Sequence, residues 1–295
     1  MLNPEISLNR RPIDLLATNA AIAALAERWQ PVVRAARDRG GPAVKNVLDG
    51  TIVGHPLHPV LTDVPVGGWT VTALLDTLEV FGRPDVAFAA DASLLLGLGG
   101  AVAAVVTGYA DWSDTKDEPR TLGMAHAMLN AGATAAYVAS FALRRAGNRG
   151  AGIATAFAGY GLMSLAAYLG GELSYDYGIG MKHTAEPLTP PADFIDACAF
   201  ADVADGTMKR VEAGGLPVLL YRAGDDVHAV AAICTHRGAP LDTGSLEGDC
   251  VRCPWHASVF AFADGSVREG PASFPLAQYE TQVTEGRVRV RALRV

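Results

Sequence analysis

Two stretches decide how the C-terminal third of this chain reads: Cys234-Thr235-His236-Arg237-Gly238-Ala239-Pro240-Leu241 and Cys253-Pro254-Trp255-His256-Ala257-Ser258. Each offers one Cys and one His, and sixteen residues lie between His236 and Cys253. Two thiolates and two imidazoles suit a tetrahedral zinc site. They also suit a binuclear iron–sulfur centre, with Cys234 and Cys253 on an iron that stays ferric and His236 and His256 on the iron that accepts the electron. Neutral imidazoles leave that iron less electron-rich, which raises the reduction potential above that of an all-Cys cluster.

The flanks favour iron–sulfur. The two stretches resemble the cluster-binding loops of the Rieske 2Fe–2S family, and Gly270-Pro271-Ala272 resembles that family's third, proline-containing loop. The resemblance runs from about Asp193 to Val295. It implies an all-β domain carrying a 2Fe–2S cluster. Respiratory members of the family bear a further Cys in each loop and join them by a disulfide. The matching positions here are Ala239 and Trp255, so the chain is similar to the Rieske ferredoxins. Ser258 matches a hydroxyl that donates to cluster sulfur in the high-potential class, and Phe260 stands where that class has a Tyr donor. Such bonds stabilise the reduced cluster. Ala257 replaces the family's usual Gly, at a cost in strain if the site needs a positive φ.

Half of the 295 residues are hydrophobic, mean hydropathy is +0.20 and net charge is −7. This balance gives no reason to expect nucleic acid as a partner. Four cysteines, two of them in the motifs, give no disulfide framework. The first residues contain no apolar signal core.

The apolar residues concentrate between about Leu61 and Leu173, in four helix-length segments near Leu61–Phe81, Val86–Ala110, Thr121–Leu143 and Ala151–Leu173. Each approaches or exceeds the roughly twenty residues that span a bilayer. The expectation is a four-span transmembrane α-helical bundle followed by the all-β domain. Asp63, Asp76, Glu79 and Asp91 interrupt the runs and keep a buried soluble bundle as the alternative. His55-Pro56-Leu57-His58-Pro59, Gly108-Tyr109-Ala110-Asp111-Trp112 and His126 resemble a family of poorly characterised bacterial four-helix membrane domains. The chain then divides into an N-terminal tail (1–54), the bundle (55–180), a linker (181–192) stiffened by Thr189-Pro190-Pro191, and the Rieske domain (193–295). Ile13 to Arg39 reads as one amphipathic helix, lying in the headgroup region or packed on the bundle or Rieske module.

Alternating spans put His55, His58, Asp111, Asp114, His126, Glu172 and Tyr175 at one end of the bundle, with the opposite end poor in such residues. Helices one and three lie on a diagonal, so His58 and His126 face each other. Two imidazoles there suit haem b, another metal or a quinone pocket; helix capping and an interface hydrogen bond are the structural alternative. Lys and Arg are spread over both sides, and a signal-less N-terminus favours a cytoplasmic Rieske domain on a multi-pass protein of the bacterial cell membrane.

The functional expectation is a membrane-anchored one-electron carrier, working with the lipid bilayer and with a redox partner protein or quinone. The alternatives are a ferredoxin component serving an oxygenase on another chain, and a redox sensor or scaffold. About forty residues follow His256, too few for the iron-bearing catalytic domain of a self-contained oxygenase. In the β module, Val218–Tyr221 with Val227–Val230, and Phe260–Phe262 with Val267–Arg268, read as hairpins. Arg287–Arg291 alternates as an edge strand, and His228 is a strand residue.

Overall fold

A computed structural model describes residues 7–183 and 191–293. The stiff linker end expected at Thr189-Pro190-Pro191 falls largely outside these residues. The chain divides into two compact units, one helical and one built mainly of strands. The helices are α1 (Ser7–Ala17), α2 (Ala20–Arg39), α3 (Gly41–Leu48), α4 (His58–Val80), α5 (Ala87–Trp112), α6 (Asp117–Arg145) and α7 (Arg149–Tyr175). The expected tail over 1–54 is shared between the units. Its helices up to Arg39 go with the bundle, and Gly40–Pro56, containing α3, goes with the β-rich unit.

The single amphipathic helix expected from Ile13 breaks at Thr18-Asn19. The Asn19 side chain accepts from the backbone N–H groups of Ala21 and Ile22 and so starts α2 afresh. Both pieces pack on the bundle. Ile13 and Ala17 join a core with Leu122, Ala125 and Leu169. Gln30 donates to the carbonyls of Trp112 and Thr115, and Arg37 pairs with the buried Asp114 at 2.7 Å. The Gln30 bond to Trp112 serves a carbonyl in the last turn of α5, and the other two hold the turn that follows it.

Helices α4 and α5 form one tight hairpin, and α6 and α7 form another. Small residues permit the close approach: a Cβ on Gly97 would stand 2.3 Å from the Trp69 ring, and one on Gly152 would stand 2.7 Å from Arg144. Trp69 of α4 stacks on Tyr137 of α6 across the diagonal, with centroids 4.2 Å apart. Two segments, Pro84–Trp112 and Arg149–Tyr175, are long and apolar enough to cross a membrane by length and composition. Helix α4, interrupted by Asp63, Asp76 and Glu79, and α6, which begins and ends in charged residues, fall short of that measure.

The end expected to be poor in acidic residues carries an ion-pair network instead. Arg144 and Asp76, both fully buried, pair through two hydrogen bonds, and Asp91, Arg149 and Glu79 extend the chain of charges. Three of the four acidic interruptions, Asp76, Glu79 and Asp91, thus meet the two arginines of α6 and α7, where each charge offsets another, while Asp63 is exposed.

The β-rich unit holds β1 (Ile195–Ala199), β2 (Met208–Ala213), β3 (Leu216–Ala223), β4 (Asp226–Ala231), β5 (Ser245–Glu247), β6 (Cys250–Arg252), β7 (Val259–Ala261), β8 (Val267–Glu269), β9 (Gln278–Thr284) and β10 (Arg287–Ala292). Six form an antiparallel sheet in the order β1-β10-β9-β4-β3-β2, and four form a smaller sheet, β5-β6-β7-β8. Both expected hairpins are present, β3–β4 and β7–β8. Strand β10 is not an edge. Strand β1 covers its outer side, pairing Ile195 with Val290 and Cys198 with Val288. Its alternation reflects one face on the core, with Val288 and Val290 fully buried. His228 lies in β4 with its ring 6.3 Å from that of Tyr221.

Candidate functional site

Three loops, one leaving the larger sheet and two from the smaller, make the site. The first follows β4, the second joins β6 to β7, and the third follows β8. The first two are built alike. In each, the Cys N–H donates to the carbonyl five residues on: Cys234 to Ala239 at 2.8 Å, Cys253 to Ser258 at 2.8 Å. In each, the Cys carbonyl accepts from the N–H four residues on: Gly238 at 2.9 Å, Ala257 at 3.1 Å. That residue has positive φ in both loops, +73° at Gly238 and +62° at Ala257. Ala257 therefore occupies a conformation that suits glycine, the residue that the Rieske resemblance expects at this position.

This shared turn curls the backbone round each sulfur. The N–H groups of His236 and Arg237 point to Cys234, and those of Trp255 and His256 to Cys253. The two thiols, buried and in no disulfide, lie within hydrogen-bond reach of each other. That bond, helped by the N–H donors, pulls Cys253 down to about 6 against the effect of burial. The same bond and burial push Cys234 up. The rings of His236 and His256 lie 4.9 Å apart between centroids, nearly perpendicular and half-buried. So the structure gathers all four motif residues, thiols with thiols and imidazoles with imidazoles. Among the described residues no group of three or more His, Cys, Asp or Glu closes on a single metal position. This donor set fits two metal positions, one of thiolates and one of imidazoles, better than one tetrahedral ion.

Ser258 is fully buried beneath the second loop. Its Oγ accepts from the Ala272 N–H of the third loop at 2.9 Å, which leaves its own proton for another acceptor. Phe260 is fully buried in the core beside Cys234 and Cys253. Trp255 is exposed and Ala239 buried, neither with a sulfur to offer. Arg252 bonds the Ala257 carbonyl at 2.9 Å and pairs with Glu247 and Glu269.

One part of the site carries no motif. The segment of α3 and the turn after it lies against the third loop. Asn46 donates to the Arg268 carbonyl at 3.0 Å and accepts from the Gly270 N–H at 2.9 Å. Thr51 donates to the Ala272 carbonyl at 3.1 Å, and Lys45 pairs with Glu269 at 3.3 Å. A Cβ on Gly270 would stand 2.6 Å from the Asp49 carboxylate, so glycine is what lets this segment seat. A polar residue more than two hundred positions away in sequence gives no periodic or spacing signal.

A family model described as "Rieske [2Fe-2S] domain" matches residues 193–280. Ferredoxin CarAc of Metapseudomonas resinovorans is 38% identical over 98 residues, which cover 33% of this chain and 92% of that protein. The chain belongs to the Rieske [2Fe-2S] family. A Rieske domain implies a 2Fe–2S cluster and one-electron transfer, and Rieske ferredoxins work with redox partner proteins. The anthranilate 1,2-dioxygenase ferredoxin subunit of Burkholderia cepacia is 32% identical over 78 residues, covering 26% of this chain and 72% of that subunit. A chain in the solved complex of reduced oxygenase and oxidised ferredoxin of carbazole 1,9a-dioxygenase shares 35% identity, with a TM-score of 0.33, covering 35% of this chain and 97% of its own. Residues 54–183, ahead of the Rieske domain, match a second model, described as "Predicted membrane protein (DUF2231)".

The bundle histidines are also brought together. His58 and His126 lie with ring centroids 6.5 Å apart, nearly perpendicular. They line a cavity of about 460 Å³ within the helical unit. His55 belongs to the other unit and is exposed, and Asp114 is taken up by Arg37.

Proposed function

We propose that this chain is a membrane-anchored one-electron carrier whose cluster is held by Cys234 and Cys253 on one iron and by His236 and His256 on the other. The observation that carries the reading is the pair of matched loops, which gather thiols with thiols and imidazoles with imidazoles. The cluster supplies the change in oxidation state. The protein supplies thiolate-stabilising N–H groups at both sulfurs and leaves the imidazoles half-buried, nearer solvent than the buried thiols, so that an electron would enter or leave on their side.

Helices α4 to α7 are proposed to cross the bilayer as four spans. Large apolar side chains point outward from all four: Leu74, Leu96, Val102, Val138, Phe157 and Leu165 are exposed. Such a surface suits lipid rather than water. The charges of α4 and α6 are consistent with this, because Asp76 and Arg144 neutralise one another inside the bundle. The Rieske domain is placed on the cytoplasmic side of a multi-pass protein of the bacterial cell membrane. Its partners are a redox protein, of which an oxygenase on another chain is the instance favoured by the ferredoxin subunits it resembles, or a membrane quinone. Haem b in the bundle completes the cofactors of this reading.

The test is analysis of anaerobically purified full chain. Two irons and two acid-labile sulfides per chain, about equal to the content of one 2Fe–2S cluster, are expected, with loss of both on Cys234→Ala or His256→Ala. One zinc and no sulfide would sink the assignment. Protease protection in inverted and right-side-out vesicles tests the orientation.

A further inference from the structure

The four long helices are two copies of one hairpin. An offset of 68 residues carries α4 onto α6: His58 to His126, Trp69 to Tyr137, Asp76 to Arg144. An offset of 62 carries α5 onto α7: Ala87 to Arg149, Gly97 to Gly159, Ala104 to Ala166, Gly108 to Gly170. The contacts repeat with the residues. His58 Nδ1 lies 2.8 Å from the Ala104 carbonyl, and a Cβ on Gly108 would stand 2.7 Å from its ring. His126 Nδ1 lies 2.8 Å from the Ala166 carbonyl, and a Cβ on Gly170 would stand 3.2 Å from its ring. About three turns further along, Trp69 lies over Gly97 and Tyr137 over Gly159 in the same way.

Each α4 residue of this set then meets its own α6 counterpart. The histidines face at 6.5 Å, the aromatics stack at 4.2 Å, and Asp76 pairs with Arg144. An approximate two-fold axis therefore runs along the bundle between α4 and α6, and the cavity lies on it. Equivalent residues line its two sides: Thr62 and Asn130, Val105 and Ala167, Gly108 and Gly170.

We infer that His58 and His126 are the two axial ligands of one planar, metal-centred macrocycle of the haem class, seated on this axis. A carbonyl at each Nδ1 fixes the proton there and leaves Nε2 as the ligand atom. A first-row ion about 2 Å from each of two imidazole nitrogens leaves ring centroids roughly 6 Å apart, close to the spacing observed. A bare ion would lack ligands, since among the described residues no third His, Cys, Asp or Glu joins the pair. A macrocycle brings its own equatorial nitrogens and needs only two ligands from the protein. The glycines and alanines of the wall leave room for it. Asn130 Nδ2 lies 3.0 Å from His126 Nε2 and holds that lone pair until it is displaced. The site stands on the bundle's geometry, and only its use in electron transfer rests on the carrier reading.

The experiment is expression of the full chain with haem precursor, purification in detergent, and optical and paramagnetic-resonance spectra. A low-spin haem signal typical of two imidazole ligands is expected beside the reduced-cluster signal. His58→Ala and His126→Ala should each lose the low-spin signal while keeping the cluster signal. His58→Met should retain haem with an altered spectrum and a raised midpoint. Absence of haem from wild-type protein, co-purification of a quinone in its place, or a low-spin signal that survives both Ala variants overturns the inference. The cluster signal reports separately on the carrier reading, so either can fail without the other.

Discussion

Asn46 and Gly270 share a hydrogen bond of 2.9 Å between residues 224 positions apart, and the same Asn46 side chain donates to the Arg268 carbonyl. The bond fastens the third loop, whose Ala272 N–H in turn fixes Ser258. Asn46→Ala strands a partly buried N–H, which costs about 1–3 kcal/mol. The expected outcome is a lower melting temperature for the Rieske domain, faster cluster loss in air and a shifted midpoint potential, with the helical unit unaffected. An unchanged midpoint and cluster lifetime would show that this segment only covers the loop.

Ser258→Ala tests the hydroxyl from the other side. Oγ already accepts from Ala272, so its proton is directed elsewhere, and cluster sulfur is the proposed acceptor. Losing a donor to the more negative, reduced cluster should lower the midpoint by about 60 mV, equal to about 1.4 kcal/mol for one electron. Protein-film voltammetry measures this directly. A shift of either sign in Asn46→Ala with none in Ser258→Ala would assign the effect to loop position rather than to the hydroxyl.

Ala257→Gly should stabilise the domain. Ala257 sits at φ +62°, where its counterpart in the first loop is Gly238 at +73°. The left-handed conformation costs an L-residue about 1 kcal/mol or more, and the greater freedom of glycine in the unfolded chain returns part of that. A rise of about 1 kcal/mol or less in denaturant stability is expected, with cluster content unchanged. Destabilisation would mean that the Ala257 methyl makes contacts worth more than the strain.

The cluster loops were legible because metal chemistry restricts residue type and spacing together, and few other sites ask for Cys-x-His and Cys-x-x-His with those flanks. Ala257 was legible for the same reason: a glycine position filled by alanine is visible one residue at a time. The four long helices were legible from apolar length, but their charges were not. Asp76 reads as an interruption until Arg144, its partner through the fold, is known. Strand β10 read as an edge because its covering strand lies near Asp196, 91 residues from Arg287. Asn46 gave no signal because one amide suffices for its two bonds. The correspondence between the two hairpins was not legible, because Trp69 and Tyr137 share only aromatic character and Asp76 and Arg144 have opposite charge.

That last pair gives a sharper test of the bundle. Asp76 and Arg144 are fully buried and joined by two hydrogen bonds, with Ser140 accepting from the same guanidinium. Breaking a buried pair leaves one charge without its counterpart, which costs roughly 3–5 kcal/mol. Replacing both members by apolar residues of similar volume removes the desolvation penalty with the attraction and is often close to neutral. Asp76→Leu alone should therefore lower the melting temperature of the detergent-solubilised helical unit strongly, because Arg144 would keep only the partly exposed Asp91. Asp76→Leu with Arg144→Met should recover most of the loss. If single and double variants melt alike, the pair does not hold α4 to α6, and the two-fold arrangement rests on the aromatic stack and the histidines.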